Sequence, residues 1–160
     1  MKTTKAKNEF KKGKHGIGWV DSDFTDLYGE QDVKPGTVLP FKKLERYMTG
    51  DEILGDKEVF QGECELGDIL ATLDTATDEM KDGYANLFYV KGSSRVVDVH
   101  WFVGGWVVGG WPRGDGWRAG RRVFSLATDS RSSDSGTRDL ELETAITKVK
   151  EAGYVIFKPV

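Results

Sequence analysis

Asp98 and His100 stand two residues apart in the alternating segment Val97-Asp-Val-His-Trp101. On an extended strand that spacing sends both side chains to one face. A carboxylate placed there can orient an imidazole as a general base. A base needs a nucleophile to serve, and none is placed by the pattern. The single cysteine, Cys64, falls in a region of helical periodicity, and the serines cluster in loops. Two histidines and one cysteine lack the ligands of a zinc site unless carboxylates supply them, so no metal is expected. The glycine pairs 104–105 and 109–110 lie inside a hairpin pattern with no Gly-Lys-Ser/Thr after them, so they make no phosphate loop and no cofactor is expected. Catalysis through Asp98 and His100 stands as one reading, without a reaction attached to it.

A second chemistry comes from rings and cations. Four of the five tryptophans lie between Trp101 and Trp117, and Arg113, Arg118, Arg121 and Arg122 stand among or just beyond them. An arginine beside an indole can stack on it, contributing about 0.5–2 kcal/mol. Such a face suits a protein partner. It also suits a single-stranded nucleic acid, where rings stack on bases and cations meet phosphates. The six lysines of residues 1–20 would add phosphate affinity to that alternative.

The elements that must carry these groups follow from periodicity. The segments 86–90, 95–103, 106–111 and 117–125 alternate with period two and are separated by turn residues. They predict a four-stranded antiparallel meander over about 85–125. A two-residue turn at Gly104-Gly105 pairs Val103 with Trp106. One face then holds Val97, Val99, Trp101, Val103, Trp106 and Val108. The other holds Asp98, His100, Phe102, Val107 and Trp111, with Arg118 opposite Trp111 and Arg122 opposite Val107. The binding residues predicted on this aromatic and cationic face are Asp98, His100, Trp111, Arg118 and Arg122. Upstream, Phe41, Leu44, Tyr47 and Met48 predict a helix over 40–48, and 51–54 adds a turn stopped by Gly55. Leu66, Ile69, Leu70 and Leu73 predict a helix over 65–74. Downstream, Leu142, Ala145, Ile146 and Val149 predict a helix over 138–152, followed by a strand at 154–157. That C-terminal helix is the expected cover of the valine-rich face, and the helices of the first half are the expected cover of the other. The fold class is α+β, with residues 1–16 a flexible basic tail and 17–160 one domain.

Bulk properties limit the rest. The chain has 160 residues, 38% of them hydrophobic and 31% charged, with a net charge of −3. That charge hides unequal blocks: residues 21–82 carry 17 acids against 6 bases, and 83–160 carry 8 acids against 11 bases. No stretch approaches the roughly 20 apolar residues of a membrane span, so no membrane partner is expected. One cysteine and no apolar leader lead to the expectation of a cytoplasmic protein.

The runs Ala85-Asn-Leu-Phe-Tyr-Val90, Val97-Asp-Val-His-Trp101 and Gly116-Trp-Arg-Ala-Gly-Arg-Arg-Val-Phe-Ser125 resemble a block found in short hypothetical proteins of candidate-phyla bacteria. The likeness covers residues 84–125 and implies a bacterial origin, with no activity, substrate or site residue attached. The function expected from the residues themselves is a small non-enzymatic interaction module with a protein partner. Nucleic-acid binding and an Asp98/His100 enzyme are the alternatives.

Overall fold

The computed structural model describes residues 3–126. In chain order the elements are β1 (Thr4–Lys5), α1 (Ala6–Glu9), β2 (Ile17–Val20), α2 (Ser22–Tyr28), β3 (Asp32–Val33), β4 (Phe41–Lys43), β5 (Met48–Thr49), α3 (Gly50–Leu54) and α4 (Leu66–Asp74). A 3-10 turn (Asp78–Lys81) leads to β6 (Asn86–Tyr89), β7 (Arg95–Phe102), β8 (Gly105–Pro112), β9 (Gly116–Trp117) and β10 (Arg122–Phe124). The class is α+β. The helix expected at 138–152 and the strand at 154–157 lie outside the described residues. Among the described residues no helix is long and apolar enough to cross a membrane.

The central sheet has six strands in the order β2-β8-β7-β6-β10-β4. β6, β7 and β8 form the antiparallel meander read from alternation. The expected fourth strand does not continue it. Gly116–Trp117 leaves the sheet to pair with β5. The chain then turns through Arg118–Arg121, where Gly120 takes φ +93° and donates its N–H to the Leu44 carbonyl (2.8 Å). Arg122–Phe124 emerges on the far side of β6 and runs parallel to it, with β4 antiparallel on its other edge. The free edge of β8 is taken instead by β2, in parallel. The result is a mixed sheet rather than a four-stranded meander.

The β7–β8 turn is also one residue from where it was expected. Val103 (φ 48°) and Gly104 (φ 82°) occupy the two central positions, so Phe102 faces Gly105 and Trp101 faces Trp106. Two positive φ values in a row are the turn that fits twisted hairpins. A valine there is costly, because its branched Cβ crowds the backbone in the left-handed region. The shift takes Val103 off the inward face and into the turn, leaves the strand residues on their predicted faces and changes their cross-strand neighbours: Gly109 lies opposite Asp98, not His100.

The first sheet face carries Phe88, Val97, Val99, Trp106, Val108 and Phe124, all buried. Its cover is the first half of the chain: Ala6, Phe10, Phe24, Tyr28, Ile69 and Leu73 pack on it. Residues 3–16, read from composition as a flexible tail, hold β1 and α1 and bury Ala6 and Phe10 here. Each large apolar side chain sealed this way contributes about 1.5–3 kcal/mol. The second face carries Leu87, Tyr89, Val96 and Val123 beneath Leu44, Met48 and Ile53. The segment expected as one helix over 40–48 is two short strands around a bend. Its apparent helical spacing arises because Phe41 packs on Phe124 of the first face, whereas Leu44 and Met48 reach the second. α3 matches the expected turn at 51–54. Its Thr49 hydroxyl accepts from the Glu52 N–H (3.2 Å) while Glu52 Oε1 accepts from the Thr49 N–H (2.9 Å). Gly50 admits the Arg113 loop, whose carbonyl would collide with any Cβ at that position. α4 matches the expected 65–74 helix closely.

Candidate functional site

The cover on the second face stops half-way along the sheet. Trp111 lies opposite Val96, and beyond that pair the outward positions of β7 and β8 include Asp98, His100, Phe102, Val107 and Gly109. A cleft of ≈ 320 Å³ opens there, lined by Asp98, His100, Gly116, Trp117, Arg118 and Arg121, together with Gly83 and Ala85. Three elements position these groups. β7 supplies the Asp98–His100 pair, β9 supplies Trp117, and the Arg118–Arg121 turn supplies the two arginines.

Asp98 is only 7% exposed. Its Oδ2 accepts from Trp111 Nε1 (3.3 Å) and lies 3.5 Å from His100 Nδ1. Its Oδ1 is buried without a hydrogen-bond partner, and so is Trp117 Nε1. Such groups cost about 1–3 kcal/mol each when left unpaired. Asp21 stands on the same face. Its Oδ1 accepts from Trp19 Nε1 (3.1 Å), and its Oδ2 occupies the space a side chain at Gly109 would need, 2.9 Å from an ideal Cβ. His100 therefore sits among carboxylates. Its bond to Asp98 raises its pKa, burial opposes that, and the charges of Asp98 and Asp21 add to the rise.

The cations are arranged differently. Arg121 lies over the Tyr84 ring (4.6 Å to the centroid), and its Nη1 donates to the Ala119 carbonyl (3.2 Å). Among the described residues neither Arg118 nor Arg121 makes an ion pair, whereas Arg113 pairs with Glu63 (2.5 Å) and Arg122 with Asp82 (2.5 Å). Around the cleft the rim is aromatic. Trp111 (47% exposed) meets Trp117 edge-on at 6.3 Å, and Phe102 (66%) and Trp19 (60%) stand further along the sheet.

Of the five site residues read from the sequence, the structure gathers Asp98, His100, Trp111 and Arg118. Arg122 is a correction. The turn at Gly120 inverts the alternation, so Arg122 lies on the first face, fully buried, over the Phe41 ring (5.7 Å). Its guanidinium donates to Asp82 Oδ2 (2.5 Å), to Asn86 Oδ1 (3.2 Å) and to the Glu79 carbonyl. Burial pushes the Asp82 carboxyl upward, but the bonds to Arg122 outweigh it and leave the pKa lowered. Nor is Arg118 opposite Trp111, because β9 and β10 are not neighbours of β8. Sequence reasoning named Trp117 and Arg121 among the rings and cations without assigning them to the site, and missed Trp19 and Asp21. The signal available for Asp21 was Gly109, a gap in a strand that another group must approach.

The other histidine lies elsewhere. His15 Nε2 is 2.9 Å from Glu9 Oε1 and its Nδ1 is 2.7 Å from Asp74 Oδ1, tying the N-terminal segment to the end of α4. Burial lowers its pKa, but the two carboxylates outweigh that and raise it. Cys64 is buried and its thiol is pushed up to about 12 by that burial. Among the described residues no cluster of three His, Cys, Asp or Glu is placed to hold a metal ion. No family model matches the chain, and no curated protein or solved structure matches it.

Proposed function

We propose that this chain is a binding module that holds a segment of a partner protein on the open half of the second sheet face. One observation carries the reading: the sheet's second face is sealed at one end and left aromatic at the other, with Trp19, Phe102 and Trp111 exposed around a polar cleft. Exposed rings on one sheet face mark contact surfaces. The hairpin tip adds to it, because Val103, 86% exposed, is held at an unfavourable positive φ beside Phe102.

Nucleic acid fits this face less well. Asp21 and Asp98 stand at its centre, where they would repel phosphates. Of the N-terminal lysines, Lys5 pairs with Asp32, Lys7 with Glu30 and Lys14 with Glu9, so part of their charge is answered within the fold. A catalytic reading needs a nucleophile near His100. Cys64 is buried against the first face with its thiol held protonated, and the cleft lining presents no hydroxyl or thiol side chain among the described residues. A buried, protonated thiol also suits the proposed cytoplasmic setting.

The test is selection of random linear peptides displayed on phage against the full chain, followed by affinity measurement on Phe102→Ala/Trp111→Ala. Peptides that bind the wild type and lose at least tenfold on that variant support the reading. Failure to select any such peptide, with tight and steeply salt-dependent binding of a single-stranded oligonucleotide instead, overturns it.

A further inference from the structure

We infer that the segment held on this face is acidic, and that the cleft reads one of its carboxylates through Arg118 and Arg121 while Asp98 and Trp117 take adjoining main-chain groups. The inference rests on the reading that a protein segment occupies this face. Its own support is the set of bonds the cleft leaves unmade. Asp98 is more than nine-tenths buried, and its Oδ1 is an acceptor without a donor. Trp117 Nε1 is a buried donor without an acceptor. Both line the same cleft. An extended peptide main chain offers both N–H donors and C=O acceptors, so it carries the kind of partner each atom lacks.

The arginines add the charge requirement. Arg113 and Arg122 each have a carboxylate of their own, at 2.5 Å in both cases. Arg118 and Arg121 line the cleft with no ion pair among the described residues. A guanidinium is planar, always charged and matched in shape to a carboxylate. The stacking of Arg121 on Tyr84 restrains its plane, which lowers the ordering cost of taking an anion. Asp98 in the cleft and Asp21 beside His100 disfavour a segment with carboxylates along its whole length. The fitting ligand thus has an acidic side chain at the arginine end and uncharged or apolar residues over Val107, Phe102 and Trp19.

Peptides selected on the full chain are synthesised twice, once as found and once with Asp and Glu replaced by Asn and Gln. Binding of each is measured by fluorescence anisotropy on wild type, Arg118→Ala/Arg121→Ala and Asp98→Asn. Enrichment of an acidic residue is expected among the selected peptides. The uncharged versions should bind at least tenfold more weakly to wild type and lose little further on the double-arginine variant. Asp98→Asn should weaken both versions alike, since it changes the amide contact rather than the carboxylate one. Circular dichroism and urea denaturation show whether each variant is folded. Selected peptides without acidic residues, or equal affinity for both versions, overturn this inference while peptide binding stands. Absence of any peptide sensitive to Phe102→Ala/Trp111→Ala overturns the underlying reading instead.

Discussion

Two arginine sites lie within one short stretch of chain and on opposite sides of the sheet. On the first face, Arg122 is fully buried and both terminal nitrogens are engaged, by Asp82, Asn86 and the Glu79 carbonyl. On the second, Arg118 and Arg121 border a cleft whose buried acceptor and donor, Asp98 Oδ1 and Trp117 Nε1, are unmatched. The first site has its charge answered by Asp82 and both terminal nitrogens matched, with Arg122 Nε alone left without a partner, and it serves the fold. The second leaves a buried acceptor and a buried donor without partners among the described residues. Residue type does not separate them. Which side of the Gly120 turn an arginine falls on does.

The sharpest way to break that contrast is through the tryptophans. Trp106 is 2% exposed on the first face and Trp111 is 47% exposed on the second. Trp106→Ala should destabilise by about 3–5 kcal/mol through cavity formation, and Trp111→Ala by about 1 kcal/mol or less. Urea denaturation of both reads this directly, and equal losses would show that the second face is part of the core.

The arginines give the next effect. Arg122→Ala removes the buried partner of Asp82 and Asn86 and leaves a void, so a loss of about 3 kcal/mol is expected. Arg118→Ala/Arg121→Ala should cost no more than about 1 kcal/mol, mostly the exposed stack on Tyr84. Reversal of that order in chemical unfolding would remove the distinction between the two sites.

A smaller effect of opposite sign is expected at the hairpin tip. Val103→Asn relieves a branched residue from φ 48° and should raise stability by about 1 kcal/mol. If the exposed valine is kept for contact, the same variant binds selected peptides more weakly, and a gain in both properties would detach the tip from the site.

The smallest effect is electrostatic. His100 has a folded-state pKa above its ordinary value of about 6.5, through its bond to Asp98. A raised folded pKa means that its charged form stabilises the fold. That contribution is present in full below about pH 6.5 and is lost as pH rises through the raised value. Proton NMR of the ring should show a midpoint above that of a free histidine, and Asp98→Asn should bring the midpoint down. An unchanged midpoint in that variant would place the cause elsewhere.

Much of the second face was legible because alternation survives a register error. The turn lies at Val103-Gly104 rather than Gly104-Gly105, yet a shift of two in pairing keeps Asp98, His100, Phe102 and Trp111 on one side. Arg122 was not legible, because one glycine-centred turn reverses the parity of everything after it. The parallel pairing of β10 with β6 has no local signature at all. Periodicity misled at 40–48, where residues spaced like a helix reach opposite faces of the sheet. Composition misled at the N-terminus. Lysine-rich text reads as solvated chain, but Ala6, Phe10 and Ile17 are anchors, Lys5 and Lys7 pair with Asp32 and Glu30, and Lys14 pairs with Glu9 of its own segment.

The parallel seam between β2 and β8 also sets an order of events during synthesis. Ile17–Val20 leaves the ribosome early and finds its neighbour only when Trp106–Val108 has followed. Until then Phe10, Ile17 and Phe24 lack the part of the first face that Trp106 and Val108 supply. Closure of so distant a pairing is slow, so a nascent or truncated chain that ends before the second hairpin strand is the species for which a chaperone would compete.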